Sequence, residues 1–340
     1  MNPKITIVTP SFNRCWAIPA CLASIRSQHN VDYEHIIMDG GSTDGTLEYL
    51  HAEAAKDQRI RVISEADSGM YDAVNKGMKI ARANIVAYLN TDDFYLPGVL
   101  TEVISAFEQT PTLAMLYGHW MSWHPEHEFL EVQPVQNYRA ADLAYFAVLP
   151  QPSVFFRRSV IEQLGGFDLS FKLLADNDFF SRVAVAGLPF KRLNFFLSVQ
   201  TVHSGNLLAG NSAAVIQAKQ EGRRYRNTRK MELAMQGVVS TSLPVCTARI
   251  KYAMLPIAWR AQLLFKFWHA IFNRGSYLST PWRYIEGRFS LKIMCRYLFS
   301  RLPRQFHPFF RVSQSEMCRF VGFQVPSYPP TVKSHQPSKR

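Results

Sequence analysis

Two adjacent carboxylates, Asp92 and Asp93, close the motif Asn90-Thr91-Asp92-Asp93, directly after the apolar run 85–89. At about 4 Å and an effective dielectric near 20, a like-charge pair costs about 4 kcal/mol. Mg2+ or Mn2+ relieves such repulsion, because these ions take one or two carboxylates together with substrate phosphates. Capping of a helix over 97–109 would account for the pair equally well. A second group is Asp39-Gly40-Gly41-Ser42-Thr43-Asp44-Gly45-Thr46. Its glycines let the backbone approach a ligand, and Asp39 at a strand end can accept hydrogen bonds from a base or ribose. The Gly-Lys-[Ser/Thr] ending of a P-loop is missing, and a Gly-rich turn before a capped helix fits the same residues. In Asp67-Ser68-Gly69-Met70-Tyr71-Asp72-Ala73-Val74-Asn75-Lys76-Gly77, Asp72 and Asn75 are three apart and share a helix face. Taken singly, each also reads as a cap or a solvated residue.

The elements that must position these groups alternate regularly. Runs 4–9, 34–38, 60–64 and 85–89 read as strands; 17–28, a segment capped by Thr43 or Asp44, and 70–82 read as helices. Such βα repetition argues for an α/β fold with a parallel sheet covered on both faces. Ligands of such sheets lie beyond the carboxyl ends of the strands, where residues 10–14, 39–46, 65–75 and 90–95 gather. From 113 to 156 the strands become shorter and aromatic-rich, and two short helices flank Gly165-Gly166-Phe167-Asp168. Beyond 216 strand signals vanish, and 216–235, 246–272 and 282–300 read as basic helices. The boundary falls near 215–240, giving a catalytic region 1–215 and a helical region 216–340.

Charge divides the same way. The chain of 340 residues carries a formal net charge of +12. Residues 1–218 hold 16 basic against 22 acidic side chains, and 219–340 hold 22 against 4. An acidic body with a basic tail points to a polyanionic partner for the tail. Five cysteines at 15, 21, 246, 295 and 318 form no Cys-x-x-Cys pair, so neither a disulfide framework nor a zinc site is supported. The N-terminal apolar run is too short for a signal-peptide core, and 252–272 is interrupted by Arg260 and Lys266. The expectation is a cytoplasmic protein without a spanning helix.

Four motifs in order carry a resemblance: IVTPSFNR (7–14), MDGGSTDGT (38–46), DSGMYDAVNKG (67–77) and YLNTDD (88–93). Together they resemble the nucleotide-sugar motifs of family 2 inverting glycosyltransferases. PQPSVFFRRSVIEQLGGFD (150–168) and ADNDFFSRV (175–183) resemble the acceptor-side half of the same domain, so the likeness spans roughly 4–205. It implies a GT-A, Rossmann-like domain with a mixed, mainly parallel sheet. It implies that Thr9, Pro10 and Asn13 sit against base and ribose and that Asp39 reads the base. Asp67 and Gly69 would border the nucleotide, with Asp72 and Asn75 lining the donor pocket. Asn90-Thr91-Asp92 stands where the family has Asp-x-Asp, so Asp92 would contact ribose or metal and Asp93 the metal. Asn90 in place of Asp leaves the choice of main ligand between them open. Asp176 matches the family's general base, with Ala175 where a Glu is usual; Asp178 is the runner-up, and an N-cap of a helix 177–186 the structural alternative. His203, in His203-Ser204-Gly205-Asn206, would be a second contact to diphosphate and metal, although a lone histidine is more often structural. Gln151 and Arg157 could reach acceptor or diphosphate.

The implied activity is transfer of a sugar from a UDP-, GDP- or dTDP-sugar to a saccharide or lipid-linked saccharide in surface polysaccharide biosynthesis, with Mg2+ or Mn2+. Within 249–274, Arg249, Lys251, Arg260, Lys266 and Arg274 alternate with Tyr252, Trp259, Phe265, Phe267, Trp268 and Phe272, a pattern suited to an anionic membrane surface. Packing of those rings on the catalytic domain is the alternative. A nucleic-acid-binding protein would use the basic tail but leave the acidic motifs unexplained. A catalytically silent sugar-nucleotide-binding paralogue would accommodate Asn90 and Ala175.

Overall fold

The computed structural model describes residues 2–133, 135, 137–140, 142, 149–206, 212–235 and 309–326. The expected basic helices at 246–272 and 282–300 lie outside the described residues. The first hundred residues follow the expected alternation: β1 (Ile5–Ser11), α1 (Ile18–Arg26), β2 (Tyr33–Asp39), α2 (Thr46–Lys56), β3 (Ile60–Ser64), α3 (Met70–Lys79), β4 (Ile85–Tyr88), β5 (Phe94–Tyr95) and α4 (Val99–Gln109). Then come β6 (Met115–His124), β7 (Phe129–Gln133), β8 (Val154–Arg157), α5 (Arg158–Leu164), α6 (Ala175–Val185), β9 (Phe190–Thr201) and α7 (Ser212–Met235). Last are β10 (Phe309–Arg311) and α8 (Gln314–Val321).

The strands form one mixed sheet in the order β10-β7-β6-β8-β4-β1-β2-β3, with β9 joining β6 and β5. Pairing is parallel from β4 through β1 and β2 to β3. β1 and β2 are buried along their whole length because helices cover both faces, and their polar residues Thr6, Glu34, Thr9 and His35 pair with one another across the strands. β8 runs antiparallel to β4, and β9 runs parallel to β6 with an irregularity around His119. All four parallel strands therefore point their carboxyl ends the same way, and the motif loops meet at that edge.

Three local expectations are corrected. α2 is capped by Gly45, in the left-handed region, not by Thr43 or Asp44. α4 starts after Gly98, so Asp92 and Asp93 do not cap it. α6 begins at Ala175 with Leu174 at its N-cap, which puts Asp176 inside the first turn. Asp44 still reaches the first turn of α2, accepting from Thr46 N at 3.1 Å, whereas Asp93 is taken up by Thr201 N.

The tail is not wholly apart from the body. β10 pairs antiparallel with β7, and Val312, Met317, Phe320 and Val321 enter the core cluster that holds Phe94 and Trp123. Ser313 and Glu316 close α8 with a reciprocal capping box. No described helix is long and apolar enough to cross a membrane.

Candidate active site

In the loops after β2 and β3, most acids are engaged close by. Asp39 is 1% exposed and accepts from Gly41 N (3.0 Å), Ser42 N (2.9 Å) and Ser64 Oγ (3.0 Å), and from the Ser42 hydroxyl. Asp44 receives Cys15 N at 3.1 Å and so ties α2 to the loop after β1. Asn13 holds a left-handed backbone, φ 53°, and its Oδ1 accepts from Thr43 N at 2.9 Å. Thr9 is fully buried, its hydroxyl 2.8 Å from His35 Nε2, and Pro10 is buried beside it. Burial pushes the His35 imidazole down to about 3, so it is neutral at physiological pH. Thr9 and Asp39 thus set the shape of the strand ends.

Asp67 and Gly40 make a narrow slot. A Cβ on Gly40 would lie 2.7 Å from Asp67 Oδ2 and 3.4 Å from the Phe12 ring, so only glycine leaves that space free. The Phe12 ring is 58% exposed at the edge of the slot. Asp67 Oδ1 accepts from Gly69 N at 2.8 Å; Gly69, at φ 124°, is the N-cap of α3. Asp72 accepts from Ser68 N at 2.9 Å and faces Lys76 at 3.4 Å, a capping arrangement at the rim. The Asn75 amide is taken up by Phe167, donating to its carbonyl at 2.8 Å and accepting from its N–H at 2.9 Å. It clamps α3 to the loop before α6.

The open end of β4 carries the paired acids. Asp93 is buried and accepts from Thr201 N at 2.9 Å; burial, and then the Asp92 charge, push its carboxyl well above the ordinary range. Asp92 stays partly exposed, with Oδ2 3.2 Å from His203 Nε2 and 3.3 Å from Asn206 Nδ2. Gly205 N donates to His203 Nδ1 at 3.1 Å, and Trp16 meets the imidazole edge-on at 5.2 Å between centroids. Asn90 donates to Gln151 Oε1 at 3.3 Å, Gln151 donates to Tyr88 O at 2.6 Å, and Asn90 Oδ1 is buried without a partner.

At the start of α6, Asp176 Oδ1 lies 3.2 Å from the Tyr71 hydroxyl and accepts from Asn177 N at 2.7 Å. Burial raises its carboxyl from 3.8 to about 6 against those hydrogen bonds. Asp178 is held between two guanidinium groups, Arg182 Nε at 2.9 Å and Arg229 Nη2 at 2.7 Å. With both oxygens so occupied and the side chain buried, Asp178 is an anchor. Arg157 points away from the site: it donates to Leu113 O (2.8 Å) and Phe107 O (3.0 Å) at the end of α4.

Four strand-end loops, a paired-acid motif and a buried carboxyl near neutrality thus converge on one edge of a GT-A sheet. The Glycosyl transferase family 2 profile matches residues 6–164. An uncharacterized glycosyltransferase of Mycobacterium tuberculosis is 30% identical over 189 residues, spanning 55% of this chain and 71% of that protein. The chain belongs to glycosyl transferase family 2. This glycosyltransferase is also 29% identical over 185 residues to a PGL/p-HBAD biosynthesis glycosyltransferase of Mycobacterium bovis, covering 52% of the chain and 68% of the relative. In fold it is similar to S. aureus TarS 1-349 solved with UDP-GlcNAc, at TM-score 0.54 and 14% identity, covering 72% and 69% of the two chains.

Three further residues stand beside the candidate site: Phe12, within 7–14, is exposed, and Trp16 and Tyr71 meet His203 and Asp176 through contacts that no local spacing encodes. Among the described residues, no group of three or more His, Cys, Asp and Glu side chains converges as a ready-made metal centre.

Proposed function

We propose that the chain is an inverting glycosyltransferase that moves a sugar from a nucleotide-diphosphate sugar to a hydroxyl of a saccharide or lipid-linked saccharide in surface polysaccharide biosynthesis. The observation that carries this reading is Asp176: a carboxyl raised to about 6, in the first turn of α6, with Oδ1 3.2 Å from the Tyr71 hydroxyl. A base poised near neutrality is what removal of an acceptor proton calls for. The acceptor oxygen forms its bond to the anomeric carbon as its proton passes to Asp176. The bond from that carbon to the diphosphate oxygen breaks on the opposite face, and configuration inverts. Tyr71 holds the carboxylate oxygen in place during the transfer. The UDP-GlcNAc complex of TarS and the sugar-transfer names of the relatives support a UDP-, GDP- or dTDP-sugar as donor.

The donor side fits a hard divalent cation of the Mg2+ or Mn2+ kind. Asp92 is the more accessible of the paired acids, and the orphaned Asn90 Oδ1 is a second oxygen at the same place. Asp92 would hold the ion with the substrate diphosphate completing its shell, and the ion supplies Lewis-acid stabilisation of the leaving group. Asp93, tied to Thr201 N, steadies the motif from beneath. With Gly205 N donating to Nδ1, His203 presents Nε2–H, which suits a contact to diphosphate or to Asp92. Asp67, Gly69, Phe12 and the backbone around Thr9, Pro10 and Asn13 border the base and ribose, while Asp72 and Asn75 keep the donor pocket's wall in shape.

The catalytic part in this reading takes in residues 1–215 together with α7 and 309–326, and the basic stretch 249–274 docks the enzyme peripherally on an anionic cytoplasmic membrane face. Because 309–326 belong to the core, docking is tested by replacing Arg249, Lys251, Arg260, Lys266 and Arg274 with Gln rather than by truncation. Loss of salt-sensitive flotation with anionic liposomes is expected, and unchanged flotation would refute it. For transfer itself, hydrolysis of a nucleotide-sugar panel with Mn2+ by wild type and Asp176→Asn is decisive, with the anomer of the product read by NMR. Full activity of Asp176→Asn, or retention of configuration, would refute the assignment.

A further inference from the structure

α6 carries no capping side chain of its own, since Leu174 stands at its N-cap. The backbone N–H groups leading into it are answered from α7, 47 to 49 residues along the chain. Glu221 Oε1 accepts from Lys172 N at 2.9 Å, and Oε2 accepts from Leu173 N at 2.9 Å and Leu174 N at 3.0 Å. Glu221 is 7% exposed, and Gln217 Nε2 donates to Oε1 at 2.9 Å. Leu173 is held from its other side as well, because its carbonyl lies 3.1 Å from the Tyr71 hydroxyl, the same group that touches Asp176 Oδ1.

The rest of the α7 inner face continues the clamp. Tyr225, one turn beyond Glu221, is buried in the cluster with Phe179 and Ala175, and Arg229, a further turn on, reaches Asp178. Positions 221, 225 and 229 lie at the four-residue spacing of a single helix face. That face grips the start of α6 at three levels: the incoming backbone, the packed first turn, and Asp178.

We propose that Glu221 is a positioning residue for transfer: it fixes the 172–174 backbone and thereby the direction of the Asp176 carboxylate, making α7 a working part of the catalytic domain. The inference rests on Asp176 being the base. Neutral Gln at 221 would turn an amide N–H toward backbone N–H donors, and Asp would fall one methylene short of them.

The test uses the full chain with Glu221→Gln, Glu221→Asp, Asp176→Asn and the double variant Glu221→Gln/Asp176→Asn. Hydrolysis with Mn2+ is followed for whichever of UDP-glucose, UDP-N-acetylglucosamine, GDP-mannose and dTDP-rhamnose wild type turns over fastest. Glu221→Gln should lower kcat by about 10- to 100-fold with donor KM changed by less than about 2-fold. It should speed amide hydrogen exchange at 172–174 and move the acid limb of the kcat profile to lower pH, as a less buried carboxyl titrates nearer its ordinary range. Glu221→Asp should recover part of kcat, and Glu221→Gln should add nothing in the Asp176→Asn background. Faster exchange or a lower Tm with kcat and its pH limb unchanged would reduce Glu221 to a structural tie and overturn the proposal; so would losses that multiply in the double variant. If Glu221→Gln does not fold, Glu221→Asp carries the same readouts. Full activity of Asp176→Asn alone, or no turnover of the panel by wild type, breaks the underlying reading instead, and is distinguished by the single variant and the wild type.

Discussion

The donor side and the acceptor side of the site are built on different plans. Around the loops after β2 and β3, acids are answered largely by near neighbours: Asp67 by Gly69, Asp72 by Ser68 and Lys76, Asp39 chiefly by Gly41 and Ser42. The paired acids after β4 instead take distant partners, Thr201 for Asp93 and His203 for Asp92. Around the acceptor loop, the partners come from far along the chain: Tyr71 to Asp176, Arg229 to Asp178, and Glu221 to residues 172–174. A site assembled from local turns is written in short motifs, whereas one assembled by distant clamps depends on the tertiary fold.

The largest effect should come from the acceptor side. Asp176→Asn is expected to lower kcat by about 100- to 10,000-fold with nucleotide binding unchanged by calorimetry; equal loss of binding would mean the two sides are not separable. Asp178→Ala should destabilise by about 2–3 kcal/mol in a denaturant melt, because it removes the buried carboxylate through which Arg229 of α7 and Arg182 are tied to the start of α6. A cost under about 1 kcal/mol would show that the distant clamp is not what holds α6.

On the donor side the effects should be smaller and specific to binding. Asp92→Ala should remove the Mn2+-dependent part of nucleotide affinity, a change of about 10-fold or more in calorimetry, while leaving the Tm within a few degrees. Smallest of all, Thr9→Val should cost about 1 kcal/mol by losing the His35 hydrogen bond, with nucleotide affinity unaltered. A large loss of affinity in Thr9→Val would show that the hydroxyl serves the ligand and would erase the contrast in construction.

The same contrast explains what was legible beforehand. The βα alternation and the four donor motifs follow from apolar runs and loop chemistry a few residues long, so the elements and their edge of convergence were predicted closely. The helix starts were missed because Gly45, Gly98 and Leu174, none of which offers a capping side chain, take the cap positions. Asn75 read as a pocket residue because nothing near it reveals Phe167, 92 residues away. The return of 309–326 to the sheet was hidden by the uniform basic charge of the tail; its apolar residues, Val312, Met317, Phe320 and Val321, were the available signal.

Burial of Asp176 also has a stability signature with a definite sign. Its folded value of about 6 lies above the ordinary value near 3.9, so between those pH values the folded state holds more protons than the unfolded chain. Stability from this group therefore falls as pH rises through that window, and the Tm of Asp176→Asn should gain on wild type from pH 4 to pH 6.5.

The most direct measurement of the central claim is the pH dependence of kcat for wild type beside Asp176→Asn. A base must be ionised to accept the acceptor proton, so wild-type kcat should rise with pH along a limb whose midpoint lies near 6, and the residual activity of Asp176→Asn should lack that limb. A wild-type limb near 4, or the same limb persisting in Asp176→Asn, would contradict the assignment of Asp176 as the base.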